Sequence, residues 1–371
     1  MVFPLVVAKG DPTEIGASYG AQARDQIHGN LDDYGQKFAA VGVDGATSRR
    51  LGEQFRSTTL DFAPRIAMTL DAVAEAADVP VGDIYALNAR TELMLPTGMR
   101  DSQGLTECTC VAVLPEQTAD GHTLLAQNWD WYPTQQPFSL VLATQDERGH
   151  QIVCLTEAGM LAKSGLNSAG VGVCVNLLHC DRDGAPGGVP YHVLIRAALD
   201  EPMGISPTLK VTSLPRSASI NLLIAAAGGT AVDLEIAPGL TGRLVPEGGL
   251  LIHANHFASG IDVHDAIYDI GGSSLFRDHR VRQLLEAPAA GHKVTLDAVA
   301  DALRDHLGHP YAVCRHVNPD DDPDLRSLTA GSVLMDLDEQ RIWVSDGPPC
   351  DAPYTEFALA TVFDTHRAGP S

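Results

Sequence analysis

The order of two periodicities along this chain predicts an α+β fold, with packed antiparallel sheets, flanking helices and an N-terminal helical segment. Residues 10 to about 94 carry apolar residues at helical spacing, whereas short strand-like runs dominate after residue 106. Two helical stretches then interrupt the strands, and a hairpin closes the chain. Blocks of strands and helices without strict βαβ alternation are typical of antiparallel sheets packed against helices.

The helical segment opens on a capping signature. Asp11 stands at the cap position, Pro12 follows in the first turn, and Glu14 comes three residues after the cap. Gly16 and Gly20 lie four residues apart and therefore on one helix face, where they allow another element to approach closely. Further helical spacing is predicted at 51–77 and 84–95, separated by a turn at 79–83.

A polar, turn-rich loop at 96–106 separates the helical segment from the strands. Its glycine, aspartate and serine residues are typical of an exposed connection. The runs that follow are short and partly β-branched, and turn formers separate them as hairpins require. Strands are predicted at 111–114, 123–127, 139–144, 151–156, 171–176, 219–225, 231–236, 249–254, 332–337 and 341–345, and helices at 191–199, 274–285 and 296–307.

Composition and charge restrict the class of protein. The chain has 371 residues, 44% of them hydrophobic, which suits a globular protein with a substantial core. A formal net charge of −22 argues against a nucleic acid partner, because phosphate backbones attract cationic surfaces. Residues 1–9 are too short for a signal peptide, and no apolar run reaches the roughly 18 residues of a membrane span. The seven cysteines include no CxxC pair, so we expect free thiols and a cytoplasmic protein without membrane contact.

Cys108 is the residue from which chemistry is predicted. It follows the polar loop and begins a strand, and the next strand-like run ends in Asn128-Trp129-Asp130-Trp131. If the chain breaks before this residue, it carries both a thiol with a pKa near ~8.5 and an α-amine with a pKa near ~7.7–8.0. Such an amine is well matched to accept the thiol proton at neutral pH, so no histidine is needed. The alternative for any one cysteine is a small buried hydrophobe, which is our interpretation of Cys110, Cys154, Cys174 and Cys180.

The segment from Glu107 to Trp131 resembles the processing and active-site region of a known family. This is the acyl-coenzyme A:6-aminopenicillanic acid acyltransferase family, or peptidase family C45, whose members are N-terminal-nucleophile (Ntn) hydrolases with a cysteine nucleophile. The resemblance covers nearly the whole chain and implies a four-layer αββα sandwich. Six further motifs are similar and occur in the family's order: 10–16 with Gly20, 88–92, 165–170, 253–257, 314–315 and 347–350.

The resemblance implies an enzyme that cuts its own chain between Glu107 and Cys108. A helical fragment 1–107 would then remain bound to the catalytic fragment 108–371. The expected reaction is cleavage or transfer of the acyl group of a small amide, through a thioester at Cys108. The expected substrate is an N-acyl amine, an N-acyl amino acid or a peptide-like metabolite, with an acyl-coenzyme A or an amine as a further partner.

Other polar residues are predicted to assist Cys108. From the resemblance, Asp130 positions the cysteine and its amine, and a carboxylate there raises the pKa of the amine. Asn255 is the predicted oxyanion donor, because an amide side chain supplies N–H groups without a competing charge. Asn128 is expected to line or support the site. From the resemblance, Asn176 corresponds to a second polar position of related Ntn enzymes, and Ser219 and Ser327 to serines implicated in processing or activity. Arg315 is predicted to bind a substrate carboxylate. A structural hydrogen bond or ion pair is the alternative for Ser219, Ser327 and Arg315.

No metal or cofactor is expected. His253, His256 and His264 do not lie on an HExxH helix, no nearby acid completes a zinc site, and no glycine-rich phosphate loop occurs. Two alternatives to the predicted enzyme stay open: a bile-salt-hydrolase-like or ceramidase-like amidase acting on a lipid-like amide, and an unprocessed, non-catalytic binding protein with an Ntn fold. The oligomeric state is not predicted.

Overall fold

The computed structural model describes residues 2–94, 108–184, 187–286 and 293–364. The predicted loop at 96–106, and Glu107 with it, lie outside the described residues. The helices are α1 (Pro12–Gln22), α2 (Arg24–Ala40), α3 (Gly45–Phe62), α4 (Pro64–Ala77), α5 (Val81–Asn88), α6 (Arg90–Met94), α7 (Tyr191–Leu199), α8 (Ile205–Thr208), α9 (Ile267–Ile270), α10 (Ser274–Glu286), α11 (Leu296–Leu303) and α12 (Leu359–Val362). The strands are β1 (Leu5–Gly10), β2 (Cys108–Val113), β3 (Leu124–Trp131), β4 (Ser139–Asp146), β5 (Gln151–Glu157), β6 (Ser164–Asn167), β7 (Val171–Leu177), β8 (Ile220–Ala226), β9 (Thr230–Ala237), β10 (Leu240–Leu244), β11 (Leu250–His253), β12 (Leu328–Asp336), β13 (Arg341–Ser345) and β14 (Thr355–Ala358).

The described strands form two sheets. One has eight strands in the order β1-β4-β5-β6-β7-β8-β9-β10, and the other has six in the order β11-β2-β3-β12-β13-β14. The edge strand β1 runs parallel to β4. The other neighbouring strand pairs described in the two sheets are antiparallel. Sequence reasoning did not predict β1, β6, β10 or β14, because an edge strand or a short strand leaves little alternation to recognise.

Three apolar clusters separate four layers. Helices α1 to α7 cover one face of the eight-stranded sheet. Alternate residues of β2 and β3, such as Cys110 and Trp129, pack between the sheets. The residues between them, such as Val111 and Ala126, face α10 and α11 on the other side of the six-stranded sheet. The predicted four-layer αββα sandwich is therefore confirmed.

The N-terminal helices follow the predicted local chemistry. Asp11 and Glu14 form a capping box, in which each side chain accepts a hydrogen bond of 2.9 Å from the other residue's backbone N–H. Gly16 packs so closely on α4 that a Cβ there would lie 2.2 Å from the carbonyl oxygen of Thr69. None of the helices in the described part of the chain combines the length and apolar character of a bilayer span.

Two predicted helices are each divided in the structure. The helical spacing at 51–77 spans α3 and α4, which are separated at Ala63 because Pro64 begins a new helix and lacks the N–H that would continue the old one. The spacing at 84–95 spans the end of α5 and the short α6, separated at Ala89. By contrast, α7 and β13 have the predicted bounds.

Candidate active site

Cys108 is the first residue of β2 and pairs with Trp129 on β3. Its side chain is 5% exposed and faces the space between the two sheets, as do Cys110 and Trp129. Strand β11 lies on the other side of β2, with His253 opposite Cys110. The predicted nucleophile is therefore held at a strand end between two neighbours.

Asn255, just beyond β11, faces the backbone of Cys108. Its Oδ1 accepts a hydrogen bond from the Cys108 N–H and a second, 3.1 Å long, from Nη2 of Arg277. Its Nδ2 donates to the carbonyl of Leu177 at 2.8 Å. These donors and this acceptor set the orientation of the amide, since its oxygen can only accept and its nitrogen can only donate. The predicted oxyanion role is not visible in these contacts and stays a prediction.

Arg277 on α10 joins the residues around Cys108. Its side chain is fully buried, and Nη1 donates to the Cys108 carbonyl at 2.9 Å and to Oγ1 of Thr109 at 2.5 Å. The same nitrogen lies 3.8 Å from Oδ2 of Asp130. Sequence reasoning missed this residue, because α10 carries Arg277, Arg280 and Arg282 and no spacing indicates which of the three faces the sheet.

Asp130 lies on the opposite face of β3 from Trp129, and its carboxylate faces the layer of α10. Its Oδ1 accepts a hydrogen bond of 2.7 Å from Oγ1 of Thr329, which in turn accepts one of 2.9 Å from the N–H of Arg315. The carboxylate and the thiol of Cys108 are thus on different faces of the sheet, and Asp130 acts on the cysteine through its charge and its backbone.

The surroundings keep the Cys108 thiol protonated. Burial raises the pKa of this thiol to about 11, and the Asp130 carboxylate acts in the same direction. The Asp130 backbone amide and the cations of Lys163 and Arg277 act against that rise in pKa. Because the thiolate is the reactive form, a base must take the proton before or during attack.

Lys163 is a buried amine close to Cys108 that sequence reasoning also missed. Its Nζ lies 2.8 Å from Oε2 of Glu157 and 4.0 Å from the ring centroid of Trp129. Burial, followed by the charge of Arg90, lowers the pKa of Lys163 to about 8, although Glu157 and Cys108 oppose that change. A lysine with no flanking motif gives no sequence signal, since its position depends on the sheets meeting.

Two predicted asparagines, Asn128 and Asn176, bond to elements around the site and not to Cys108 itself. Asn128 faces α11, where Nδ2 donates to the carbonyls of Leu303 and Val313 at 2.8 and 2.9 Å. Asn176 connects the sheets, because its Oδ1 accepts from Nδ2 of Asn221 at 3.0 Å and its Nδ2 lies 3.4 Å from the carbonyl of His253. Neither side chain makes a described hydrogen bond to Cys108.

The remaining predicted residues form two separate contacts. Nε of Arg315 donates to Oγ of Ser327 at 2.8 Å, and the backbone N–H of Arg315 links this pair to Asp130 through Thr329. Oγ of Ser219 donates to Oδ1 of Asp183 at 2.7 Å. In the described residues, the three histidines weighed as zinc ligands have separate partners: Glu235 for His253, Ser274 for His256 and Asp269 for His264.

A cleft of about 440 Å³ opens beyond the end of β3. Small-molecule sites commonly have volumes of roughly 300–1,000 Å³. Tyr132 lines this cleft and lies three residues after Trp129, which pairs with Cys108. At the ~3.3 Å per residue of an extended chain, Tyr132 is therefore ~10 Å from Trp129. Its lining combines apolar and charged side chains, among them Asp33, Lys37, Met94, Asp324 and Arg326.

Comparison with known proteins gives one family and several relatives. The family profile described as acyl-coenzyme A:6-aminopenicillanic acid acyl-transferase matches residues 117–348. The 40 kDa form of acyl-coenzyme A:6-aminopenicillanic-acid-acyltransferase from Emericella nidulans is 27% identical over 98% of each chain. Among solved structures, penicillin V acylase from Agrobacterium tumefaciens is 14% identical, with a TM-score of 0.43 over 68% of this chain and 87% of that one. A mutant of conjugated bile acid hydrolase from Clostridium perfringens is 11% identical, with a TM-score of 0.45 over 68% and 92%.

Proposed function

This chain belongs to the acyl-coenzyme A:6-aminopenicillanic acid acyltransferase family, and we propose that it is a self-processing enzyme with Cys108 as its nucleophile. In this proposal it cleaves or transfers the acyl group of a small amide through a thioester. The observation that carries the proposal is the contact between the backbone nitrogen of Cys108 and Oδ1 of Asn255, within reach of Arg277. A cysteine that acts as an N-terminal nucleophile requires a polar group that accepts a hydrogen bond from its nitrogen, because that nitrogen becomes the base after cleavage.

The first step of the proposal is self-cleavage before Cys108. The thiol sulfur attacks the carbonyl carbon of residue 107, the carbon–nitrogen bond breaks, and the thiol proton ends on the Cys108 nitrogen. Water then hydrolyses the resulting thioester and leaves a carboxylate on residue 107 and a free amine on Cys108. A high thiol pKa demands a base for this step, and Lys163 supports the proposal as that base because its lowered pKa leaves a neutral fraction near pH 8.

The second step is turnover on an external amide. The α-amine of Cys108 takes the thiol proton, the sulfur attacks the substrate carbonyl, and the departing amine receives that proton. Water or an acceptor amine then attacks the thioester and releases the acyl group. Asn255 holds the α-amine through Oδ1, and Arg277 holds Asn255. The predicted oxyanion role of Asn255 requires Nδ2 to leave the carbonyl of Leu177.

The helical fragment stays bound after cleavage in this proposal. Strand β1 belongs to the eight-stranded sheet through its parallel pairing with β4. Buried polar contacts join the same two parts: Arg90 lies 3.1 Å from Glu157, and the hydroxyl of Tyr34 donates to Glu157 at 2.6 Å. Separating the fragments would expose these charges and the apolar cluster under α1 to α7, so the free energy of association is large.

The cleft beside Tyr132 supports a small, polar amide rather than a lipid-like one. Its volume suits a metabolite, and its lining includes the charged side chains of Asp33, Lys37 and Arg326. Lys37 and Asp33 form an ion pair there, and a lipid tail would take this pair and Arg326 out of water, which costs free energy even for paired charges. We place the acyl or amine portion of the substrate in this cleft.

The test is the intact mass of the freshly purified protein beside two variants. The wild type is expected as fragments 1–107 and 108–371, and Cys108→Ala as one full-length chain without amidase activity. Cys110→Ala is the matched control, because Cys110 is also buried between the sheets on the same strand face, and it should process normally. A Cys108→Ala protein that is cleaved or active would overturn the proposal, as would a wild type that stays intact with a thiol unreactive to iodoacetamide.

A further inference from the structure

Four metal-ligating side chains converge at a place that the proposed reaction does not use. They are His306 just after α11, Cys314 and His316 in the following loop, and Cys350 after β13. One ligand atom from each lies within 4.8 Å of all the others. We refer to these four residues as the Cys–His cluster.

Four of the six separations between the donor atoms are close to the edges of a zinc tetrahedron, and the other two are at most 4.8 Å. Nε2 of His306 and of His316 are 3.1 Å apart, and the sulfurs of Cys314 and Cys350 are 3.6 Å apart. Nε2 of His316 lies 3.7 Å from the first sulfur and 3.3 Å from the second. Zinc bonds of ~2.3 Å to sulfur and ~2.0–2.1 Å to nitrogen give tetrahedral edges of ~3.8 Å between sulfurs, ~3.3 Å between nitrogens and ~3.6 Å between unlike atoms.

We propose that His306, Cys314, His316 and Cys350 bind a structural Zn²⁺ ion. Two thiolates and two imidazoles in tetrahedral geometry are a donor set that selects zinc, and four protein ligands leave no open position for catalysis. Sequence reasoning expected no metal, because the spacing of these residues, with 33 residues between His316 and Cys350, matches no familiar zinc motif.

The position of the Cys–His cluster indicates that the ion would hold three separate segments of the chain together. It would connect the end of α11, the loop that carries Cys314, and the segment after β13, none of which pair as strands with one another. Arg315, between two of the ligands, donates its N–H to Thr329, which donates to Asp130. The ion would therefore hold the loop that supports the Asp130 carboxylate, while making no contact with the reacting atoms.

The His316 ring has an additional feature that suits a metal ligand. Its Nε2 faces the Cys–His cluster, while Nδ1 on the other side of the ring lies 3.8 Å from Oδ2 of Asp351. A carboxylate near the second nitrogen of a metal-bound histidine orients the ring and increases its basicity. A disulfide between Cys314 and Cys350 is the competing explanation for the paired sulfurs, but it leaves the convergence of two imidazoles unexplained.

The test is the zinc content of the full-length protein after purification under reducing conditions with added zinc and removal of loosely bound metal. About one zinc per chain is expected for the wild type, and its loss for His306→Ala and Cys350→Ser. His309→Ala is the matched control: its ring centroid lies 5.2 Å from that of His316, yet His309 is outside the Cys–His cluster, so zinc should be retained. Cobalt substitution should give the thiolate-to-cobalt absorbance of a four-ligand site in the wild type and His309→Ala, and not in His306→Ala or Cys350→Ser.

Two outcomes would overturn the inference. One is a well-folded wild type that binds no stoichiometric zinc or cobalt. The other is a purified protein whose mass is lower by two hydrogens because Cys314 and Cys350 form a disulfide that reforms after mild reduction. Cys108→Ala should retain its zinc, so failure of the zinc site and failure of the proposed nucleophile are separate results.

Discussion

Two cysteine sites in this molecule use the same kind of atom for different purposes. Around Cys108 the nearest polar groups are an amide, an arginine, a lysine and a carboxylate, and Asn255 receives the backbone nitrogen. Around Cys314 and Cys350 the nearest polar groups are imidazole nitrogens. In the first site a proton must move before sulfur can react. In the second, two imidazole nitrogens and two sulfurs converge, and we propose that the sulfurs bind one cation as thiolates.

The comparison teaches that the environment, and not burial alone, assigns a role to a thiol. Cys108 and Cys314 are both buried. A nearby carboxylate and amine favour proton transfer, which nucleophilic catalysis needs. Convergent imidazoles favour metal binding, because they add neutral donors without adding charge. Changes to these neighbours should therefore separate the two sites.

The largest effect is expected from Arg277→Leu, which removes the cation that joins Cys108, Asn255 and Asp130. We expect no self-cleavage, and a free energy of unfolding lower by about 3–5 kcal/mol because the buried Asp130 carboxylate loses a neighbouring cation. Intact mass and urea unfolding measure the two effects. Arg282→Leu on the same helix is the control, since its contact with Glu286 is at the surface and is worth less than about 1 kcal/mol. Normal cleavage in Arg277→Leu would contradict the role we assign to this arginine.

A smaller effect is expected from Asn255→Ala, which removes the acceptor of the Cys108 nitrogen. Turnover of the processed enzyme should fall by about 10²-fold or more, as for loss of a preorganised polar group at a reaction centre. Asn128→Ala is the matched control, because this buried asparagine bonds to the carbonyls of Leu303 and Val313 and to the Ser332 hydroxyl and makes no described hydrogen bond to Cys108. It should lower the free energy of unfolding by about 1–3 kcal/mol and leave turnover per folded molecule within a few-fold. Equal losses of turnover in the two variants would remove the distinction between them.

The third prediction concerns pH and Lys163. Its pKa in the folded protein is about 8, below the ordinary value of 10.5, so the unfolded chain binds more protons between these two values. The free energy of unfolding therefore falls by about 3 kcal/mol as the pH is lowered from 10.5 to 8, because over this range the unfolded chain takes up a proton that the folded protein does not. Urea unfolding of wild type and Lys163→Met at several pH values measures this difference. A difference that is flat with pH would place the lysine in a more solvated site.

The smallest effect is expected from Asp351→Asn, which changes the group beside Nδ1 of His316 and none of the Cys–His cluster itself. Zinc affinity should fall by about 10-fold, as for loss of an outer partner of a histidine ligand. Competition with a chromophoric chelator measures this affinity. Asp338→Asn is the control, because this carboxylate lies in the β12–β13 turn and contacts Thr123. Unchanged zinc affinity in Asp351→Asn would show that the carboxylate does not orient the ring.

Local sequence signals were sufficient for much of the fold. The bounds of α7 and β13 agree with the prediction because each has a clear period and flanking turn formers. The cap at Asp11 depends on neighbours within a few residues and was predicted. The close approach at Gly16 was predicted as well, although its partner Thr69 on α4 is distant in the chain. Strand β1 was not predicted, because its place at a sheet edge depends on pairing with β4, more than 130 residues away.

The candidate site also has residues that the sequence predicted and contacts that only the structure shows. Cys108 and Asn255, named from the sequence, meet through a hydrogen bond in the structure. Asn128 and Asp130 stand on the helix-facing side of β3, and only the packing of α10 and α11 shows that Asp130 meets an arginine while Asn128 meets carbonyls. Sequence spacing places both residues on one strand face but cannot supply their partners.

The amino-acid sequence by itself determined the helical N-terminal segment, most of the strands, the family resemblance and the choice of Cys108 as the candidate nucleophile, because these depend on residues close together in the chain. Tertiary structure decided that Arg277 contacts the Cys108 backbone, that the charge of Lys163 acts on the Cys108 thiol, and that His306, Cys314, His316 and Cys350 converge. Such groups are distant in sequence, and they meet only because burying the faces of two sheets brings them together. Electrostatic and metal-binding interactions depend on separations of a few ångströms, which the order of residues does not specify.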